Sequence, residues 1–326
     1  MGAPEQVSRW ALASRPRRES RCARRAACLP SSATPAHAPE AHTMTASTSR
    51  TSLFCDTALA ARIERAEVDL ISTVSRAAAA RSGIAGFVTP LAGGAASFAG
   101  AESPYTKVVG LGFDGVPTDD ELAAVEQAYA AHGAPTSVEL AHLGDPDLAA
   151  LLSDRGYRLE GYENVLGLDL TTATDLPVPA GIEVRRSGDD ELEAWLPVIV
   201  EASTHPDTQG VPWHDDFPAE AIEAAQRDSA AAGLTRYAAF RDGVLAGGAE
   251  FRTVDGIAQL AGAGTAPAHR RHGVQSAMLA ARLADARALG CDVAVIVTQP
   301  GSTSHQNAQR RGFDLLYTRA TLVRQP

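Results

Sequence analysis

The sequence LAGAGTAPAHRRHGVQSAMLAARLADARAL, residues 260–289, predicts a strand, a short basic turn and a long helix. Its first six residues are small and apolar, and Pro267 ends the strand because proline has no N–H for a ladder. Gly273 then begins a helix that runs to Gly290, since glycine is favoured just past a helix end. The turn, His269–His272, holds two histidines and two arginines. Cationic side chains, a glycine and the free N–H groups of a helix start together favour a pyrophosphate site.

The spacing of this turn is more specific than that of a generic anion site. The run RRHGVQ, residues 270–275, resembles the Arg/Gln-x-x-Gly-x-Gly/Ala signature of the GNAT superfamily of N-acetyltransferases, with Gln275 at the last position. The run TAP, residues 265–267, resembles the Val-x-Pro that ends that family's fourth strand. The resemblance implies that acetyl-CoA is bound by the loop and by the strand before it, through Ala263, Gly264, Thr265, Arg270, Arg271, His272, Gly273, Val274 and Gln275.

The elements around the loop extend this resemblance. Periodicity and turn residues over residues 182–323 predict the order β-α-α-β-β-β-α-β-α-β-β, with two closing strands at Phe313–Tyr317 and Arg319–Val323. That order is the order of the GNAT acyl-CoA N-acyltransferase fold. The expected fold class is therefore α/β, with a mixed sheet of the α+β type, and the resemblance covers this whole segment.

Length and composition are those of a globular chain. Its 326 residues suggest about two domains. The net charge of −10 is uneven, because residues 1–43 carry seven arginines and three glutamates, which leaves −14 for the rest. An acidic body argues against nucleic acid as a partner, and no apolar run approaches the roughly 20 residues of a membrane span. The four cysteines have neither metal-ligand spacing nor disulfide density, so a reducing cytoplasm is expected.

Composition divides the chain into four segments. Residues 1–50 are rich in Arg, Ala and Pro without a sustained period, which predicts a disordered extension. Met44 resembles a natural start, which favours residues 1–43 being upstream sequence over a functional tail. A first folded domain is predicted over residues 51–172, a linker over 173–181 and a catalytic domain over 182–326.

The two folded segments share an order of elements. The strand, loop, helix and glycine of Lys107–Gly133 parallel those of Leu260–Gly290, and the Arg-Gly-aromatic turn at residues 155–157 parallels residues 311–313. The helix within Lys107–Gly133 begins with three acids, residues 119–121, where the second segment has its arginines. Acids stabilise a helix start but would repel a pyrophosphate. The first half is therefore predicted to be a GNAT-like domain without the cofactor loop, with an unrelated small α/β domain as the alternative.

The expected reaction needs a base and a proton donor. GNAT enzymes transfer acetyl groups by direct attack of an amine on the thioester, so a base must take the ammonium proton. Glu250 is the candidate base, because small or apolar neighbours would raise its pKa on burial, although strand alternation leaves a solvated orientation equally open. The family's usual tyrosine position falls on Ala308. Tyr317 is therefore the candidate acid, with a packed strand aromatic as the alternative.

Other polar residues are expected around the site. Ser304 and Asn307, on the short helix that follows the buried strand VAVIV, are expected to contact the cofactor. The loop between the first two helices of the second half holds four candidates for the acceptor site: His205, His214, Asp215 and Asp216. A cationic amine suits these residue types, whereas a plainly solvated loop is the alternative. No His, Asp and Glu spacing demands a metal, and none is expected.

These features predict an acetyl-CoA-dependent N-acetyltransferase that acts by direct attack on a primary amine of a small molecule or a protein. We expect a cytoplasmic monomer or homodimer with no membrane or nucleic-acid partner. The missing family tyrosine favours an alternative, a non-catalytic protein that binds or senses acetyl-CoA. A nucleotide-binding module is the weakest reading, because the loop has no Gly-Lys-Ser/Thr.

Overall fold

The computed structural model describes residues 52–205, Val211 and residues 217–326, and it begins with a long amphipathic helix. Asp56 caps this helix by accepting a hydrogen bond from a first-turn N–H at 2.8 Å, and Gly83 ends it in a left-handed conformation. The elements of the first half are α1 Thr57–Ser82, β1 Phe87–Leu91, β2 Gly94–Phe98, β3 Lys107–Val109, α2 Asp119–Ala131, β4 Thr136–Ala141, α3 Asp147–Asp154 and β5 Arg158–Asp169.

The second half begins with a strand and two helices. Its elements are β6 Ile182–Ser187, α4 Leu192–Thr204, α5 Ala219–Ala231, β7 Thr235–Arg241, β8 Val244–Val254, β9 Ile257–Thr265, α6 Val274–Ala288, β10 Val293–Thr298, α7 Thr303–Arg310 and β11 Asp314–Arg324. The expectation of two closing strands was wrong, because β11 is one strand. A register shift between Leu315 and Tyr317 interrupts its pairing with β5 without ending it. None of the described helices has the length and apolarity needed to cross a membrane.

All eleven strands of the described residues join one mixed sheet. Their order is β1-β2-β3-β4-β11-β5-β10-β9-β8-β7-β6. The two halves exchange their last strands, since β5 pairs with β10 of the second half and β11 pairs with β4 of the first. β5 and β11 also pair with each other, antiparallel, at the centre of the sheet. The chain therefore has the two-half fold that the repeated element order predicts, and one continuous sheet runs through both halves.

Alternation along the strands divides the helices between two layers. In β10, Val293 and Val295 pack in one core cluster with residues of α1, whereas Ala294 packs in another with residues of α6 and α7. The helices α1, α4 and α5 cover one face of the sheet, and α2, α3, α6 and α7 cover the other. A strand such as β10, whose alternate residues pack against helices on opposite sides of the sheet, is therefore buried on both faces.

A group of charged side chains is buried where β11 passes under α1. Arg319 is 1% exposed, and its Nε donates to Glu64 of α1 at 2.8 Å. Three more carboxylates lie 3.6–3.9 Å from its other nitrogens: Glu67, Glu139 and Glu163. Burial raises the pKa of Glu163 to about 7. We call these five residues the Arg319 cluster; both halves supply its members, so it joins the halves beneath α1.

Candidate active site

A gap opens in the sheet between β9 and β10. The two parallel strands pair over only three residues each, up to Gln259 and Val295. Beyond that point β9 continues beside β8, and β10 continues beside β5. The edges that face each other across the gap carry N–H and C=O groups without a strand partner, and Val297 is exposed beside them. Such edges suit an extended ligand that contains amides.

A β-bulge in β9 shapes one side of the gap. Ala249 of β8 faces two residues of β9, Gly262 and Ala263, both of them exposed. Gly262 has φ of +54°, in the left-handed region that favours glycine. The bulge turns the end of β9 away from β10 and so widens the gap.

A buried arginine supports the bulge from the α6 side. Arg282 is 2% exposed, and its Nη1 donates to the main-chain carbonyls of Glu250 and Ala261 at 3.1 and 3.3 Å. Burial lowers the pKa of Arg282 to about 10. This residue was not predicted from the sequence, although Arg282 follows Met278 by four positions and so falls on the buried stripe of the helix.

The basic loop contains one anchored arginine, one exposed arginine and one exposed histidine. The Nε of Arg270 donates to the carbonyl of Thr265 at 3.2 Å, and its Nη2 donates to the carbonyls of Ala202 and His205. Arg270 therefore ties the loop to the ends of β9 and α4. Arg271 and His272 are exposed, and Arg271 has φ of +63°.

The N-terminus of α6 has no cap of its own. Gly273 precedes it with φ of +88°, this cap residue makes no side-chain hydrogen bond to the first turn, and the first turn contains no acid. Those N–H groups have no partner within a helix and carry partial positive charge, which suits an anion. Glycine is also required by space, because a Cβ at Gly273 would lie 2.8 Å from Cγ of Pro179 in the segment before β6.

Arg311 adds a guanidinium beside the same helix start. Its Nη2 donates to Oγ of Ser276, in the first turn of α6, at 2.6 Å. In the sequence, this arginine is distinguished only as part of a repeated Arg-Gly-aromatic turn. Nothing local indicates that the end of α7 returns to the start of α6, so the contact could not be predicted from spacing.

Glu250 is fully buried on the face of the sheet that α1, α4 and α5 cover. Burial raises the pKa of its carboxyl to about 8, against the lowering effects of Arg236, Ser229 and Arg282. Neither carboxylate oxygen has a hydrogen bond of full geometry within the described residues. A Cβ on Gly262 would lie 2.8 Å from Oε2, so this carboxylate lies directly behind the bulge.

Tyr317 lies apart from the loop and the gap. It is 1% exposed on β11, which is separated from β10 by β5. Its hydroxyl donates to Oε1 of Glu64 at 2.6 Å, and burial raises its pKa well above the ordinary value. These surroundings are those of the packed strand aromatic that was its alternative.

The remaining candidates lie at the rim or outside the described residues. On α7, Ser304 is exposed and Asn307 is half-buried, and residues 299–302 join this helix to β10. His205 is exposed at the end of α4, whereas three acceptor-site candidates lie outside the described residues: His214, Asp215 and Asp216. The described part of the chain contains no group of three His, Cys, Asp or Glu side chains arranged to hold a metal.

The mixed sheet consists of two similar halves and is open between β9 and β10, beside the basic loop that precedes α6. These features define a GNAT fold in two halves. Residues 198–313 match the family model described as the acetyltransferase (GNAT) family. These residues of the second half therefore form a domain of the acetyltransferase (GNAT) family. No curated protein matched it.

Two solved structures are similar to this chain over most of its length. A GCN5-related N-acetyltransferase from Kribbella flavida is 20% identical, with a TM-score of 0.59, over 82% of this chain and 96% of its own. A tandem GNAT protein from the clavulanic acid biosynthesis pathway, solved without AcCoA, is 14% identical, with a TM-score of 0.53, over 81% of this chain and 95% of its own. At these identities the likeness shows the fold alone.

Proposed function

We propose that this protein is an acetyl-CoA-dependent N-acetyltransferase whose second half holds the cofactor across the gap between β9 and β10. The observation that carries the proposal is the continuity of two features. The unpartnered strand edges of the gap lead directly to the uncapped, acid-free N-terminus of α6. An extended amide-containing arm that ends in a pyrophosphate fits this sequence of groups.

Each part of the site has a role in binding acetyl-CoA. The main-chain N–H groups of Gly273–Ser276 bind the pyrophosphate, and the exposed side chains of Arg271 and His272 add positive charge. The backbone of Ala263–Thr265 contacts the pantetheine arm along the open edge of β9. Ser304 and Asn307 contact the cofactor from the rim, while Arg270 holds the loop in place.

The reaction is a direct transfer to a primary amine of a small molecule or a protein. The amine nitrogen forms a bond to the thioester carbonyl carbon, and the carbon–sulfur bond breaks. Glu250 takes the proton that the ammonium must lose, since a carboxyl with a pKa near 8 is matched to that task. The thiolate of CoA is a tolerable leaving group, and it takes up, through water, the second proton that the nitrogen loses as the tetrahedral intermediate collapses to the amide. We assign no catalytic part to Tyr317, because its hydroxyl is bonded to Glu64.

The setting completes the proposal. We expect a cytoplasmic protein, consistent with the free thiols of Cys55 and Cys291, that acts as a monomer or homodimer. The alternative is a protein that binds acetyl-CoA without turnover. It is favoured by the absence of a tyrosine at Ala308, the family's usual position.

Calorimetric titration of the full chain with acetyl-CoA tests the binding site. We expect one site per chain, and at least tenfold weaker binding in the double variant R271A/H272A. Arg76→Ala is a matched control, because Arg76 is an exposed cation on α1. Lack of binding by the unaltered chain, or equal binding by the double variant, contradicts the proposal.

Thiol release with a panel of amines separates the enzyme from the sensor. The panel contains polyamines, amino acids, aminoglycosides and peptides with free N-termini. We expect release of CoA with at least one amine and its loss in Glu250→Gln. Binding without turnover across the panel would favour the sensing alternative.

A further inference from the structure

A tyrosine of the first half contacts a buried serine of the second half, on the face of the sheet where Glu250 is buried. The hydroxyl of Tyr105, just before β3, lies 2.7 Å from Oγ of Ser229 on α5. Ser229 is fully buried and lowers the pKa of Glu250, whose two buried carboxylate oxygens have no hydrogen bond of full geometry within the described residues. Tyr105 packs against a small apolar cluster that includes Leu70 and Val74 of α1, so its ring is held in place.

We propose that Tyr105 orients the Ser229 hydroxyl toward Glu250, so that the first half sets the protonation of the carboxylate in the second half's site. Tyr105 is a positioning residue in this arrangement. It has no contact with Glu250 itself and acts through Ser229. The consequence for catalysis rests on the proposed function, whereas the effect on Glu250 does not.

The direction of the hydrogen bonds follows from the three groups. An ionised carboxylate only accepts, so the Ser229 hydroxyl must turn its proton toward Glu250 to stabilise the charge. Its oxygen is then free to accept from Tyr105. Desolvation raises the pKa of Tyr105 well above its ordinary value, and the nearby charge of Glu250 raises it further. Tyr105 therefore stays neutral and keeps the proton that it donates.

Other groups face Glu250 from each element packed around it. Arg236 from β7 and Arg282 from α6 both lower its pKa, while α4 presents the apolar side chains of Trp195 and Ile199 near β8. Beyond Tyr105 lie Glu67 of α1 and Lys107 of β3, which act on the phenol in opposite directions. The two arginines belong to the second half, whereas Tyr105 belongs to the first.

Direct titration of Glu250 tests this proposal without an acceptor. Carbon-13 NMR of the side-chain carboxyls follows Glu250 in the full chain, with the signal assigned by its absence in Glu250→Gln. We expect Ser229→Ala to raise the pKa of Glu250 by about one unit and Tyr105→Phe to raise it by about half as much. Ser229→Thr keeps the hydroxyl and should restore the unaltered value.

Tyr162→Phe is the matched control. Tyr162 is 49% exposed on β5, and its hydroxyl should leave the titration of Glu250 unchanged. If Tyr105→Phe and Ser229→Ala both titrate Glu250 as the unaltered chain does, the proposal is overturned. Should Ser229→Ala fail to fold, Tyr105→Phe and Ser229→Thr still decide the matter.

The rate of acetyl transfer gives an independent readout. With the best amine of the panel, Tyr105→Phe should move the acid limb of kcat/KM to higher pH by the same half unit and leave the alkaline plateau within about twofold. A uniform loss of rate at every pH would indicate a merely structural role and overturn the proposal. Failure of the unaltered chain to transfer acetyl at all would count against the proposed function, and the NMR titration would still test the link to Tyr105.

Discussion

The two halves present corresponding helix N-termini in opposite states. The start of α2 satisfies its own N–H groups, because Thr118 and Glu121 form a reciprocal capping box and three acids fill the first turn. The start of α6 follows Gly273 and has neither a side-chain cap nor an acid. An anion would be repelled at the first position and attracted at the second. Of these two helix starts, only that of α6 is suited to an anion.

The strand gaps differ in the same way. β3 and β4 pair only at Val108 and Val138, but the chain after β3 fills the space beside them. Leu111 is 1% exposed, and the carbonyl of Gly112 accepts from the N–H of Asp145 at 2.8 Å. The gap of the first half is therefore closed by its own backbone. The ladder registers also place Gly94 where the second half has Glu250.

The largest effect is expected at the strand exchange that joins the halves. Arg319→Met removes the buried cation and leaves the four carboxylates of the Arg319 cluster with less compensation. We expect a loss of about 3–5 kcal/mol in the free energy of unfolding, measured with urea at pH 7. Asn164 has the equivalent place on β5, opposite Thr298, as Arg319 lies opposite Ala141 on β4.

Asn164→Ala is the matched variant for this experiment. It removes the acceptor of a 2.8 Å hydrogen bond from Thr318, and we expect about 1–2 kcal/mol. Equal losses for the two variants would show that the exchange does not depend on the buried charge.

Glu250 provides a second contrast between the halves, because the first half has Gly94 at the corresponding position and so has no titrating side chain there. Its native pKa of about 8 lies above the ordinary value of 4.5, so the native state keeps a proton that the unfolded chain releases. The associated stability is complete below about pH 4.5 and is lost as the pH rises to about 8. Glu250→Gln should therefore gain up to about 4 kcal/mol relative to the unaltered chain between pH 5 and pH 8. Urea midpoints at the two pH values, taken for both proteins, measure this difference; parallel pH profiles would contradict it.

Replacing the basic residues before α6 with acids should make this helix start repel anions, as the acidic start of α2 does. The double variant R271D/H272D places two acids beside the α6 N-terminus, and we expect about 100-fold weaker binding of acetyl-CoA by calorimetry. The loss should shrink at high salt, since both side chains are exposed. Asp120→Arg makes the converse change at α2, where the closed gap should prevent any new site. A second binding event in Asp120→Arg would refute the comparison of the two gaps.

Local pattern predicted most elements and the position of the loop. The turns at Asp242-Gly243 and Asp255-Gly256 follow from dipeptides that favour positive φ, which all four residues adopt. The strand exchange could not be predicted in this way. Pairing of β5 with β10, and of β11 with β4, depends on contacts between residues more than a hundred positions apart.

A site residue could be predicted from the sequence where its role depends on its own backbone conformation. It could not be predicted where its role depends on a side chain that is distant in the sequence. Gly273 could be singled out because a helix start with positive φ needs glycine. The partner of Tyr317, Glu64, lies 253 positions away, and the contact between Tyr105 and Ser229 spans 124 positions. Arg282 is an intermediate case. Its position on an apolar helical stripe indicates from the sequence that it is buried, but its role in supporting the bulge of β9 could not be predicted without the structure.

The smallest effect is a loss of stability expected from replacing Gly273, the glycine of the basic loop before α6. Gly273→Ala strains a backbone with φ of +88° and also brings Cβ against Pro179, whereas Gly133→Ala, after α2, meets only strain, because φ is +65° in open space. We expect Gly133→Ala to lower the free energy of unfolding by about 1 kcal/mol and Gly273→Ala by about 1–2 kcal/mol more. The double variant G273A/P179G separates the two causes, because removing the proline ring should recover the extra loss and leave the strain. If the extra loss persists without the ring, the loop is limited by its own conformation and the linker contact is incidental.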